Sequence, residues 1–240
     1  MGGWNTAFLG NHDFPRIVSR FGNDTIFRKE AAKLLCMFLM TQRGTPYVYF
    51  GEEIGMTNVP WTTLDKYRDL QVFDGHKKHL ADGGNEQEFL DQLPHTSRDN
   101  ARTPMQWDNS NNSGFTKGKP WIDLNPRYKE INVKEAQADP ESVLNFYKKM
   151  LAFRRKNKTL VYGDFVDLLP DHPSLFVYTR TMGSERFLVV LNFSDSNHEL
   201  SVASGGEIKE WIICNYDTCP CGNDEWIPLR PWEACLLRLG

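Results

Sequence analysis

The chain has 240 residues, a length for one large domain or for a medium domain with a small one. Lys and Arg number 28 against 31 Asp and Glu, a formal net charge of −3, which offers no basic face to nucleic acid or to an anionic membrane. Hydrophobic residues at 40% and charged residues at 25% exclude the disordered and fibrous classes.

The longest apolar run, Leu34 to Met40, falls far short of the ~20 residues a membrane helix needs. Five cysteines are too few for a disulfide scaffold, and an odd number cannot all pair. Met1-Gly2-Gly3-Trp4 has neither a basic n-region nor an apolar h-region, so no secretory leader is read and a cytoplasmic location is favoured.

Trp4 to Leu9 is strand-like and runs into Asn11-His12-Asp13. Ile26 to Gln42 reads as a helix, with Asp24 as N-cap, apolar Ile26, Phe27, Leu34, Leu35, Phe38 and Leu39 at helical spacing, and Gly44 as the stop. A second strand follows over Tyr47–Phe50, led by Pro46 and closed by Glu52-Glu53. Asp65 to Leu93 carries helical polar stretches, and Arg98 to Asn125 reads as a loop dense in Asn, Asp and Gly. Glu141 to Lys156 is the next helix, with Asp139 as N-cap, Pro140 at its first position and Val143, Leu144, Tyr147, Met150 and Leu151 on one face.

The period then changes. Phe165–Leu169, Leu175–Arg180, Arg186–Phe193, Glu199–Ala203, Lys209–Asn215 and Glu233–Leu239 are short strand-like runs separated by turn clusters such as Gly183-Ser184-Glu185 and Ser204-Gly205-Gly206. They predict a small antiparallel sandwich, with the boundary between Lys158 and Tyr162. Ahead of it the order strand, helix, strand, helix is the unit of a parallel α/β fold. A closed barrel of that kind takes roughly 250 residues, so the chain is either a smaller fold or the tail of a larger one.

Polar residues at strand ends are where parallel α/β folds place ligands. Asn11-His12-Asp13 can hydrogen-bond a substrate and present a carboxylate; equally, it can be a turn with a helix cap. Glu52-Glu53 can complete an acid–base pair of the glycosidase kind, or be a solvated loop or an ion pair behind the site, the reading preferred here. Arg98-Asp99-Asn100-Ala101-Arg102, close to Trp107, can clamp a carboxylate or sugar hydroxyls, or be a surface ion-pair network. Cys214, Cys219 and Cys221 with Cys235 downstream lack the second knuckle of a zinc site, so they read as buried or loop cysteines. No metal ligand set and no cofactor motif is read.

Several residue strings together resemble the α-amylase family, glycoside hydrolase family 13, and within it the α-glucosidase branch of oligo-1,6-glucosidases and maltases. They are Phe8-Leu9-Gly10-Asn11-His12-Asp13, Pro15-Arg16-Ile17-Val18-Ser19-Arg20-Phe21-Gly22-Asn23-Asp24, Gly51-Glu52-Glu53-Ile54-Gly55-Met56, Arg98 through Asp108, and the closing Leu229-Arg230-Pro231-Trp232-Glu233-Ala234. The resemblance implies an α/β fold: the C-terminal part of a (β/α)8 TIM barrel over residues 1–160, with Trp4–Leu9 and Tyr47–Phe50 as strands seven and eight, then an antiparallel β-sandwich over 161–240.

It further implies a retaining α-glucosidase whose nucleophile and general acid sit on earlier strands, matched by no residue here, so that the chain needs an N-terminal barrel portion. Asp13 would be the transition-state stabiliser, His12 and Arg102 would bind the glucosyl unit, Arg102 alternatively keeping Asp13 charged, and Phe14, where the family often has glutamine, would bear on the leaving group. The expected partner is a small oligosaccharide, with no nucleic acid, membrane, metal or cofactor. Trehalose-6-phosphate hydrolase and sucrose isomerase share these motifs. The alternative from another class is a non-catalytic glucosidase-like subunit of an amino-acid transporter.

Overall fold

A computed structural model describes residues 3–201, 206–220 and 225–240. Cys221 lies outside them, as do parts of the strand expected to end at Ala203 and of the turn at Ser204-Gly205-Gly206. In chain order the elements are β1 (Thr6–Phe8), α1 (Ile17–Phe21), α2 (Arg28–Thr41), β2 (Thr45–Tyr47), α3 (Leu70–Ala81), α4 (Glu86–Thr96), α5 (Asp99–Arg102), α6 (Val133–Ala138), α7 (Val143–Lys156) and α8 (Lys158–Tyr162). The strands β3 (Asp164–Asp167), β4 (Leu175–Met182), β5 (Glu185–Asn192), β6 (His198–Ser201), β7 (Ile208–Cys214), β8 (Trp226–Leu229) and β9 (Ala234–Leu239) follow. The fold is mixed α/β. Among the described residues no helix is long and apolar enough to cross a membrane. Two compact units form: Met1–Phe8, Gly22–Tyr47 and Asn145–Gly240 make one, Leu9–Phe21 and Val48–Leu144 the other.

In the first unit β1 and β2 pair in parallel, Thr6 opposite Thr45 and Phe8 opposite Tyr47. The second strand thus lies two residues earlier than the expected Tyr47–Phe50, because the chain past Tyr47 folds into a turn in which Glu52 N–H reaches Tyr49 O. Strands β3-β4-β5-β9-β7 form one antiparallel sheet and β6-β8 a second. Leu175, Val177, Val190, Leu200, Ile227 and Leu237, from both sheets, share one apolar core. Strand β8 has no counterpart among the expected runs: four residues including Pro228 carry too little alternation to read as a strand.

Helix α2 is buried almost all round, from Ala31 to Met37 and again from Leu39 to Thr41, as befits a helix with no polar face. It starts two residues later than expected. Ile26 is 82% exposed, the N-cap position falls on Phe27 rather than Asp24, and Asn23 Oδ1 accepts from the N–H groups of Thr25 and Phe27. The last carbonyls of a helix have no partner within it; here two buried arginines supply them. Arg154 donates to Met40 O, Gln42 O, Gly44 O and Leu160 O at 2.6–2.9 Å. Arg180 donates to Thr41 O, to Leu160 O at 2.9 Å and to Gly163 O at 2.8 Å. Burial lowers both guanidinium pKa values, that of Arg180 to about 10.

Helix α7 begins at Val143 rather than Glu141, since Asp139 caps a turn by accepting from Glu141 N–H. Its Tyr147 and Met150 are buried as expected, but Leu151 is exposed. The cysteines divide: Cys214 and Cys219 form a disulfide, while Cys36 and Cys235 are buried thiols. Two of the cluster are therefore paired rather than free.

In the second unit, Val59, Trp61, Tyr67, Val72, Leu90 and Leu93 make one apolar cluster around α3 and α4. Ile54, Met56, Met105 and Ile131 make another.

Candidate active site

Residues 10–16 form a tight loop. Asn11 Oδ1 accepts from Asp13 N–H at 2.7 Å, an Asx-turn in which a side chain replaces a backbone acceptor. The turn thus forms, and it leaves His12 and Asp13 exposed at its tip. The loop is then tied down by Arg16, which is buried. Arg16 N–H donates to Asn58 Oδ1 at 2.8 Å, Nε to Asn100 O at 3.0 Å, Nη1 to Phe50 O at 2.6 Å and Nη2 to Thr103 Oγ1 at 3.3 Å. Desolvation lowers its pKa to about 10, against the opposing pull of Tyr49, Glu52 and Glu53.

The stretch expected to be loop from Arg98 is instead helical for one turn, α5. The helix ends because Thr103 takes an extended ψ of 145° ahead of Pro104, which disfavours helical geometry in the residue before it. Asn100 pins α5 from inside: Oδ1 accepts from Val59 N–H at 2.9 Å and Nδ2 donates to Ser97 O at 3.0 Å. Spacing of i, i+4 puts Arg98 and Arg102 on one face, and both reach Asp13 Oδ1, at 3.3 and 3.1 Å.

Arg102 also donates from Nε to His12 O at 3.0 Å, and its Nη1 lies 3.5 Å from Asp99 Oδ1 and 3.7 Å from Asp69 Oδ2. Arg98 grips Asp69 with Nε and Nη2, each at 2.6 Å, the paired geometry that a planar guanidinium favours. Those hydrogen bonds from Arg98 hold the Asp69 carboxyl below its usual range, against burial, and raise the Arg98 pKa in turn. Asp99, fully buried, accepts from the N–H groups of Arg68 and Asp69 at 2.7 and 2.9 Å.

The predicted residues therefore sit as follows. Asp13 and Arg102 meet directly, and His12 Nε2 is 3.4 Å from Asp13 Oδ2. Phe14 stands beside them with the Arg20 guanidinium 4.5 Å above its ring. Glu52 and Glu53 are not in this cluster. Glu52 is 4% exposed, which corrects the expectation of a solvated loop, and Glu53 Oε2 accepts from Gly51 N–H.

Asp69 belongs to the cluster without having been singled out, and Arg98 entered only as part of the string Arg98-Asp99-Asn100-Ala101-Arg102. For Arg98 the i, i+4 spacing to Arg102 was the available signal. Asp69 had none beyond its N-cap position, where it accepts from Gln71 N–H. Among the described residues no three His, Cys, Asp or Glu side chains gather in a way that would hold a metal ion. Chemically, the arrangement is one half-exposed carboxylate held through one oxygen by two cations, which also pair with the buried carboxylates of Asp69 and Asp99.

The family described as "Alpha amylase, catalytic domain" matches residues 1–163. An oligo-1,6-glucosidase of Parageobacillus thermoglucosidasius is 46% identical over 240 residues, covering 99% of this chain and 43% of its own length. A trehalose-6-phosphate hydrolase of Escherichia coli is 43% identical over 237 residues, 96% of this chain and 42% of its own. The crystal structure of an isomaltulose synthase from a Klebsiella species superposes with a TM-score of 0.95 at 42% identity, covering 99% of this chain and 43% of that one. The chain spans less than half the length of these relatives.

Proposed function

Because the chain belongs to the α-amylase family of glycoside hydrolases, we propose that it supplies the transition-state-stabilising part of a retaining α-glucosidase acting on short oligosaccharides. The observation that carries this reading is the convergence of Arg98 and Arg102 on Asp13 Oδ1. Fixed charges aimed at a place where charge develops stabilise a transition state without reorganising. In this reading the exposed edge of Asp13 accepts hydrogen bonds from ring hydroxyls of a terminal glucosyl unit and faces the positive charge of an oxocarbenium-like transition state. His12 hydrogen-bonds the same unit, Arg102 contacts its hydroxyls and locks Asp13, and Phe14 bears on the leaving group.

The nucleophile and general acid come from a barrel portion that the relatives carry and these 240 residues do not match. Strands β1 and β2 are then the seventh and eighth of a (β/α)8 barrel, residues 1–160 its C-terminal portion and 161–240 an antiparallel sandwich. The parallel pairing of β1 with β2 and the end of the family match at residue 163 support that division.

The test is complementation. The 240-residue chain alone should turn over no p-nitrophenyl α-glucoside, since a two-carboxylate mechanism lacks its pair. Joined to the N-terminal barrel portion of an oligo-1,6-glucosidase, it should hydrolyse that substrate with retention at the anomeric carbon. Turnover by the chain alone would sink the proposal, as would a folded, inert fusion, which favours a non-catalytic glucosidase-like subunit. Trehalose 6-phosphate and sucrose, offered to the same fusion, distinguish the hydrolase and isomerase alternatives raised by the relatives of those names.

A further inference from the structure

Within the second unit one buried carboxyl group serves no ion pair. Neither oxygen of Glu52 has a hydrogen-bond partner. The peptide groups of Tyr49 and Gly10 face the carboxyl without closing a bond of ordinary geometry, and Arg16 and Glu53 act on it through space. A carboxyl left this way loses hydration with little return, so the position calls for a reason other than charge pairing.

Packing supplies one. A Cβ built on Gly10 would fall 2.6 Å from Glu52 Oε1 and 2.8 Å from Ile17 Cγ2. Gly10 is thus the residue whose lack of a side chain lets the Glu52 carboxyl rest on the backbone, one residue before Asn11-His12-Asp13. On the other side, Gly51 adopts φ +91°, which turns the chain so that Glu52 opens a short 3₁₀ turn over Glu52–Ile54. A Cβ there would meet Arg16 Nη1 at 2.7 Å. The loop bearing Asp13 is therefore bracketed: Arg16 fastens its far end to Asn100 and Thr103, and Glu52 sits against its near end.

We propose that Glu52 is a positioning residue for Asp13, its carboxyl group fixing Gly10 and hence the point from which the Asn11–Asp13 turn projects. It touches no substrate. The proposal deepens the glycosidase reading by naming what holds its key carboxylate in place, and its physical part stands apart from that reading. It implies that Glu52 works as the neutral acid, because desolvation by burial pushes it up to about 8. The groups facing it are Arg16, lowered only to about 10 and so charged throughout, Tyr49, raised above its ordinary value by burial, and Glu53.

Amide hydrogen exchange on the 240-residue chain tests this with Glu52→Gln and Glu52→Ala, reading peptides over residues 10–14 against those of the five-stranded sheet from residue 175. Glu52→Gln keeps shape and neutrality and should leave exchange at 10–14 within about twofold of wild type at pH 6. Glu52→Ala should speed it about tenfold or more at 10–14 while the sheet is unchanged.

From pH 6 to 9, wild type should lose protection at 10–14 beyond the intrinsic chemical rate, and Glu52→Gln should not. This arm stands even if the alanine variant does not fold. Equal acceleration everywhere, no acceleration at 10–14, or the same pH response in Glu52→Gln would overturn the proposal. In the fused enzyme Glu52→Ala should lower kcat about tenfold or more with KM little changed. An inert wild-type fusion speaks against the glycosidase reading, whereas the exchange result still decides the role of Glu52.

Discussion

Two pairs of arginines do opposite things in this molecule. Arg154 and Arg180 are buried in the first unit and give their N–H groups to carbonyl oxygens at the end of α2 and beside α8. Arg98 and Arg102, on the surface of the second unit, give theirs mainly to the carboxylates of Asp13, Asp69 and Asp99. Neutral acceptors satisfy hydrogen-bonding capacity but leave the cation uncompensated, and burial lowers its pKa. Carboxylates compensate charge, and the Arg98 pKa rises. The first arrangement closes a fold. The second stores oriented charge at a place solvent can reach.

The comparison breaks most plainly if the buried pair proves dispensable. Arg180→Met keeps the apolar stem but takes the guanidinium donor from the carbonyls of Thr41 and Gly163, leaving Leu160 O to Arg154 alone, so the 240-residue chain should lose about 4 kcal/mol of stability. Urea unfolding measures it, and exchange protection at residues 10–14 should not change.

Glu52 adds the acidic counterpart, a buried group with neither kind of partner. Its folded-state pKa of about 8 lies above the ordinary 4.5. Its contribution to stability is therefore whole below pH 4.5 and lost as pH rises through about 8. Glu52→Gln should flatten the pH dependence of unfolding across that window by about 4 kcal/mol. Parallel curves for the two proteins would mean that the carboxyl is hydrated in solution.

Activity in the fused enzyme sharpens the other side. Asp13→Asn keeps shape and removes charge, so kcat should fall roughly 10²-fold with the unfolding midpoint little moved. A rise in KM alone would make Asp13 a ground-state binder. Arg102→Lys retains the cation but not the planar fork, and about a tenfold loss of kcat/KM is expected; full activity would show that positive potential alone suffices.

The sheet strands were largely legible because Leu175–Met182 and Glu185–Asn192 are short runs rich in β-branched and aromatic residues and bounded by turn clusters. Strand β8 was not, being short, interrupted by Pro228 and half-exposed at Trp226. The start of α2 misled because Ile26 and Phe27 fit the helical pattern although the former is in solvent. The pairing of Asp13 with Arg102 followed from family resemblance rather than from spacing, since 89 residues separate them. Asp69 and the burial of Glu52 left no trace in the local pattern. Both depend on what packs against them from elsewhere in the chain.

Helix α2 has a kinetic consequence. It packs on β5 and β9, and its unit draws its remaining residues from position 145 onward. On a ribosome adding about 5–20 residues per second, the stretch between Tyr47 and Asn145 alone takes roughly 5–20 s. For that time α2 lacks the β5 and β9 surface that covers it in the folded unit. The molecule is thus built to depend on late-arriving sequence to shelter early-arriving sequence, and a pulse-chase in cells should find nascent chains halted near residue 145 held by chaperones, with release only after β9 has emerged.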